Sequence, residues 1–318
     1  MTNFGKPVLE AMERRSLLKN IGLLAGGLSL PVLSAATAKI KSPQRALRIA
    51  HLTDIHIQPN LIAAHGFKKC LHHLQNLEVK PDFIVNGGDV VMGSKNVTLE
   101  KSEKEWAMYQ KVMKSENSVP VYTCVGNHDI LVKDKKTNSF LDGKSRAADK
   151  LELSKPYYSF DQNGWHFIVL DSVQEKFDGQ GYTAKLGEAQ MDWLEKDLQK
   201  ASAQTPVMII SHIPILSACV FLDGQNVKND DWHVPGGWMH TDCGELVSLF
   251  HKHQNIKLAI SGHIHLHDQV VYNGITFCCN GAVCGDYWFG KTQQTKAGYA
   301  IIDLFYDGSF TNNYVSYH

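Results

Sequence analysis

Five short motifs hold most of the residues in this chain that could do demanding chemistry: Asp54-Ile55-His56, Gly88-Asp89, Gly126-Asn127-His128-Asp129, Ser211-His212-Ile213-Pro214 and Gly262-His263-Ile264-His265. Together they offer carboxylate oxygens, imidazole nitrogens and an amide oxygen, donors that suit Mn, Fe and Zn alike. Two divalent ions roughly 3.5–4 Å apart can clamp the attacking and departing oxygens of a phosphoryl centre and acidify a water between them. Holding two cations that close requires an anionic bridge. Asp89 is the natural one, because Gly87, Gly88 and Gly93 let the backbone approach without an intruding side chain. Asp54 adds a second negative charge. Neutral imidazoles and the Asn127 carbonyl oxygen complete the shells without overcharging them. A single DxH or GHxH is a weak signal, and a lone histidine is more often a hydrogen-bonded surface residue. The specificity lies in all five motifs occurring in order.

Each motif begins where an apolar run stops. The runs Leu47–Leu52, Phe83–Val85, Val119–Val125, Phe167–Leu170, Val207–Ile210 and Leu258–Ile260 read as buried strands. Helical patterns lie between them at His65–Leu77, Glu100–Lys114, Gly187–Ala201 and Asp242–His253. Toward the C-terminus, Asn273-Gly274 and Asp307-Gly308 sit between β-rich runs, which predicts hairpins. The carboxyl ends of parallel strands are where ligand-binding loops converge. The pattern therefore predicts two facing sheets with helices outside, and one catalytic domain over residues 39–318.

The order DxH, GD, GNHD, HxP and GHxH, running from residue 47 to about 266, resembles the calcineurin-like metallophosphoesterase superfamily. The resemblance implies an α/β fold, a four-layer α/β/β/α sandwich of two mixed β-sheets flanked by helices. It also implies that Asp54, His56 and His265 hold one metal and that Asn127, His212 and His263 hold the other. Asp89 would bridge them, and His128 would face the substrate as proton donor or electrostatic stabiliser. The implied activity is hydrolysis of phosphomonoester or phosphodiester bonds by metal-hydroxide attack, with two divalent transition metal ions (Mn, Fe or Zn) as cofactors and a small phosphorylated compound as substrate. A nucleotide pyrophosphohydrolase, a protein phosphatase and a catalytically silent binding scaffold are the alternatives. Purple acid phosphatases of the superfamily carry a tyrosine three residues after the bridging aspartate and no histidine in the first motif. Here Met92 and His56 occupy those positions, so a purple chromophore is not expected.

The N-terminal segment reads as an address. Arg14-Arg15 precede an apolar run from Ile21 to Leu33, and Ala36-Thr37-Ala38 follow as small residues. That order predicts a twin-arginine signal peptide over residues 1–38, hence a periplasmic or secreted protein with no stable membrane span after cleavage. Lys plus Arg balances Asp plus Glu at 32 each, so no broad positive field exists for nucleic acid. Seven cysteines without CxxC spacing read mainly as buried fillers. Two segments are candidates for choosing the substrate. Trp232, His233, Trp238, His240, Tyr287 and Trp288 could stack a base or serve as packing. Lys133, Lys135, Lys136, Lys144 and Arg146, read as a loop, could meet a second phosphate or simply be solvated.

Overall fold

Side chains along the central strands alternate between two cores. The computed structural model describes residues 43–93, 97–130 and 139–318. The segment read as an export signal, Lys133, Lys135 and Lys136 lie outside the described residues. In β1 (Arg45–Leu52), Leu47 and Ile49 enter one buried cluster while Ala50 and Leu52 enter another. This follows from the period of two in extended chain.

The elements follow in the order α1 (Leu61–Gln75), β2 (Phe83–Asn86), α2 (Leu99–Glu116), β3 (Val121–Thr123), α3 (Phe140–Lys150), β4 (Tyr158–Gln162) and β5 (Trp165–Leu170). Next come β6 (Val173–Glu175), β7 (Tyr182–Ala184), α4 (Glu188–Lys200), β8 (Val207–Ser211), the short ladder β9 (Val227–Lys228) with β10 (Asp231–Trp232), and α5 (Cys243–His251). The last are β11 (Ile256–Ser261), β12 (Asp268–Tyr272), β13 (Ile275–Cys279), β14 (Gly298–Phe305) and β15 (Phe310–Ser316).

Two mixed sheets form, ordered β15-β14-β1-β2-β3 and β12-β13-β11-β8-β5-β4. Strands β1, β2 and β3 run parallel in the first, and β5, β8, β11 and β13 run parallel in the second. Between the sheets lie Ile49, Phe83, Val85, Phe167, Met208, Ile210, Leu258, Ile260 and Ile302. Outside the first sheet, Phe67, Leu71 and Leu74 of α1 and Trp106 and Val112 of α2 cover Ala50, Leu52 and Ile84. Outside the second, Leu194 and Leu198 of α4 and Leu246 and Phe250 of α5 cover Ile168, Ile209 and Ala259. These are the four layers of an α/β/β/α sandwich.

Three readings from the sequence need adjusting. Helix α1 begins at Leu61, four residues before the apolar pattern, because the Asn60 side chain accepts from Ala63 N at 2.9 Å and caps the first turn. The strand expected over Val119–Val125 pairs only over Val121–Thr123. The lysine-bearing segment read as a loop is helical from Phe140, with Ser139 accepting from Asp142 N at 3.1 Å as its cap. Lys144 within it is not solvated: it is buried, and its Nζ donates to Asp171 Oδ2 at 2.7 Å and to the Val173 carbonyl. Among the described residues no helix is long and apolar enough to cross a membrane.

Candidate metal centre

The five motifs occupy the loops that leave the carboxyl ends of β1, β2, β3, β8 and β11. The first loops remain stitched together beyond the strands, with Asp54 N donating to Gly88 O at 3.1 Å and His56 N to Asp89 O at 2.9 Å. Asp54, His56, Asp89, His263 and His265 all adopt left-handed backbone, with φ between 45° and 72°. Such conformations are uncommon for residues with a Cβ and persist where surrounding structure over-determines them. Gly88 (φ 98°) passes so close to the third motif that an added Cβ would lie 2.7 Å from Gly126 N and 2.8 Å from His212 Nδ1.

The structure brings all seven expected donors together. Asp89 Oδ2 lies 3.2 Å from His212 Nε2 on one side and 3.7 Å from His56 Nε2 on the other. One carboxylate oxygen thus faces both halves of the site, while Asp89 Oδ1 accepts from His128 N at 2.7 Å. On the first side, His56 Nε2 sits 3.1 Å from His265 Nε2, and Asp54 Oδ1 is 3.7 and 3.5 Å from those two nitrogens. On the second, His212 Nε2 is 3.1 Å from Asn127 Oδ1, and Asp89, His212 and His263 present ligand atoms within 4.8 Å of one another.

Backbone carbonyls set the tautomers. His212 Nδ1 donates to Gly87 O at 2.8 Å, and His265 Nδ1 donates to Gly285 O at 2.9 Å. A carbonyl only accepts, so each ring directs its Nε2 lone pair into the centre. His128 Nδ1 donates to Met92 O at 2.8 Å in the same way, and its Nε2 has no hydrogen-bond partner among the described residues. His128 also packs edge-on against His56, with ring centroids 4.6 Å apart.

The electrostatics describe a site short of positive charge. Burial alone would raise Asp89, yet the imidazoles of His212 and His128 hold its carboxyl well below the usual range. Asp54 is likewise held well below its ordinary value, by His265 and His56 against the effect of burial. Burial lowers His56 to about 4 and His263 to about 3. Against its own burial, Asp89 and Asp54 raise His212 to about 9. Asp54 Oδ1 is fully buried and has no hydrogen-bond partner. The lone pairs of His212 Nε2 and Asn127 Oδ1 face each other at a distance that only an intervening proton or cation makes favourable. These donors fit divalent metal ions.

Two parts of the site lay outside the sequence expectations. Asp129, the last residue of the third motif, accepts from the backbone N–H of Asp89 (3.0 Å), Val90 (2.9 Å) and Gly126 (2.9 Å) and so ties the second loop to the third. Burial and the Asp89 charge push it up to about 7. The segment 283–288 braces the first half of the site. Val283 N donates to Thr53 O at 2.9 Å and Cys284 N to Asp54 O at 3.2 Å. Cys284 is buried close to His56 and His265, with ligand atoms of the three within 4.8 Å. Trp288 Nε1 donates to His56 O at 3.1 Å while its ring packs over Gly66 of α1. Trp288 therefore supports a ligand loop from behind. Trp232 is exposed against Phe221, and Trp238 packs with Cys219, Val220 and Ile264. His240 is buried beneath the site, where it bonds Asp242 Oδ1 at 2.9 Å and approaches Ser211 Oγ at 3.3 Å. The seven cysteines are all unpaired, and all except Cys243 are buried.

Comparison with known proteins agrees with this centre. A family model for calcineurin-like phosphoesterases matches residues 47–267, which contain all five motifs. A protein of Psychrobacter arcticus described as a probable cyclic nucleotide phosphodiesterase is 21% identical over 298 residues, covering 86% of this chain and 95% of its own. A probable glycerophosphodiester phosphodiesterase of Arcobacter nitrofigilis is 22% identical over 240 residues, covering 71% and 75% of the two chains. A dimetal phosphatase from Danio rerio has a similar fold, with a TM-score of 0.59 at 13% identity over 86% of this chain and 100% of that one. The chain belongs to the calcineurin-like phosphoesterases and is a metal-dependent hydrolase of phosphate esters.

Proposed function

We propose that the protein is an exported phosphodiesterase acting on a small diester, in which Asp54, His56 and His265 hold one divalent ion, Asn127, His212 and His263 hold the second, and Asp89 is shared. The observation that carries the ligand assignment is Asp89 Oδ2, which faces His212 Nε2 and His56 Nε2 at once. Divalent ions there would offset the charge of the phosphoryl oxygens and acidify a coordinated water. The chain's own residues supply the rest. Hydrogen bonds from two of the imidazoles to the Gly87 and Gly285 carbonyls orient those rings, and Asp129 fixes the loop that carries Asp89. His128, with Nδ1 donating to Met92 O, would hand a proton to the departing oxygen from Nε2 when the ring carries a second proton as imidazolium.

The preference for diesters is supported by the relatives, whose names include cyclic nucleotide and glycerophosphodiester phosphodiesterases. Purified protein loaded with Mn²⁺, Zn²⁺ or Fe²⁺ should hydrolyse a 3′,5′-cyclic nucleotide or a glycerophosphodiester with kcat/KM at least tenfold above that for the matching monoester. A reversed ratio would make it a phosphomonoesterase. Export is supported by Arg14-Arg15, the apolar run after them and Ala36-Thr37-Ala38, giving a signal over 1–38 and a catalytic domain over 39–318. Changing Arg14 and Arg15 together to Lys should trap the precursor inside the cell. Unaltered fractionation of that variant would point to general secretion instead.

A further inference from the structure

Two tyrosines lean on the metal-binding imidazoles, and no chemical step above uses them. The Tyr287 ring centroid lies 4.9 Å from that of His56 and 5.2 Å from that of His265. The Tyr182 ring meets His263 edge-on at 6.2 Å. One tyrosine therefore borders each half of the centre. Asp54, His56, Asp89, His212 and His265 are buried, whereas Tyr182, Tyr287, Asn127, His128 and His263 are half-buried and form the solvent side of the site.

Tyr287 is held in place at some cost. Tyr287 (φ 46°) and Trp288 (φ 76°) are consecutive left-handed residues, an arrangement that disfavours bulky side chains. Contacts on either side maintain it: Trp288 N donates to Cys284 O at 2.8 Å, its indole is tied to His56 O, and Gly285 O accepts from His265. Tyr182 lies over Gly237, where an added Cβ would come within 3.1 Å of its ring. A phenol is uncharged at neutral pH, so each tyrosine offers an apolar ring and a hydroxyl.

The metal-binding groups already serve the phosphate, which leaves the two ring faces for the group attached to it. They suit a flat, uncharged, hydrogen-bonding ring attached to it. Lys144, a candidate partner for a second phosphate, is instead paired with Asp171. We propose that Tyr287 and Tyr182 receive the base of a nucleoside phosphodiester and that Tyr287 sets the preference for such a substrate over a diester without an aromatic ring. The proposal deepens the phosphodiesterase reading and rests on it.

The test compares metal-loaded wild type with Tyr287→Phe, Tyr287→Asn and Tyr182→Leu, using a 3′,5′-cyclic nucleotide and glycerophosphocholine. Asn tolerates left-handed backbone, so Tyr287→Asn removes the ring without adding strain. It should raise KM for the cyclic nucleotide about tenfold relative to KM for glycerophosphocholine. Tyr287→Phe should keep most of the ring's effect, and Tyr182→Leu should resemble Tyr287→Asn at smaller magnitude. Equal changes on both diesters, or no change on either, would overturn the assignment. Calorimetric binding of a nucleoside monophosphate against inorganic phosphate gives a readout independent of turnover. If wild type cleaves neither diester, the phosphodiesterase reading fails, while a nucleotide affinity that drops in Tyr287→Asn without loss of phosphate binding still upholds the aromatic site. Unchanged nucleotide affinity in all three variants sinks it.

Discussion

Among single residues, His128 and Asp129 stand side by side in one motif and do different work. His128 has Nδ1 engaged by the Met92 carbonyl, as His212 and His265 have theirs by other carbonyls, so its proposed role on the substrate rests on the family resemblance. His128→Ala should retain the metals yet lose roughly 10²–10⁴ in rate on esters with poor leaving groups. A nitrophenyl ester, whose departing oxygen hardly needs a proton, should show a much smaller loss. An equal loss on both would move His128 from proton donor to charge stabiliser. Among the described residues Asp129 accepts hydrogen bonds from backbone amides alone. In Asp129→Asn one acceptor oxygen becomes a donor facing buried N–H groups, which should cost on the order of 3 kcal/mol. Chemical denaturation would measure that loss, and metal analysis should find weaker occupancy because the Asp89 loop is no longer fixed.

At the scale of elements, the site depends on loops that touch backbone to side chain. A Cβ at Gly262 would collide with Thr53 Oγ1 and Asp54 Oδ2, so Gly262→Ala pushes β11's loop away from β1's. This variant should fold but bind one metal ion fewer, and inductively coupled plasma analysis would show it. Full metal content in Gly262→Ala would mean that the loops give way without disturbing Asp54. Away from the site, His166 on β5 joins Asp197 of α4 at 2.9 Å and Asp161 of β4 at 2.7 Å. Burial lowers His166, but the two carboxylates outweigh it and raise its folded value. Asp161 is well exposed, so Asp197 contributes the larger part. A raised folded pKa gives stability that is complete below the unfolded value of about 6.5 and is lost as pH rises through the folded one. The melting temperature of wild type should therefore fall from about pH 6.5 upward by a component absent in His166→Gln. Parallel melting curves for the two proteins against pH would refute this.

For the molecule as a whole, the donors come from both sheets, so metal binding clamps the sandwich at one edge. Asp54, Asp89 and Asn127 follow strands of the first sheet, and His212, His263 and His265 follow strands of the second. Ions that bind only the folded state add about 2.7 kcal/mol at a free concentration near 100 times Kd. Chelation should accordingly lower the melting temperature by several degrees, and Mn²⁺ or Zn²⁺ should restore it. A melting temperature indifferent to chelator and metal would mean that the two sheets hold the donors apart from any ion.

Much of this was legible in the order of residues. Short continuous apolar runs identified most of the core strands, Asn273-Gly274 and Asp307-Gly308 marked hairpins that form, and the motifs gave the family because ligand types must recur where strands end. Local signals also failed in places for local reasons. The cap at Asn60 extended α1 beyond its apolar stripe, and Ser139 started a helix in a stretch whose charges read as a loop. Other features exist only in three dimensions. Nothing near Asp129 in sequence announces that its carboxylate will gather amides from residues 39 and 40 positions away. Nor does spacing tell that Tyr287 faces His56 while Trp288 turns behind it, since a left-handed pair of residues decides which ring points where. Chemistry that needs particular atoms is written in residue identity, whereas the direction in which those atoms point is set by backbone conformations that distant packing imposes.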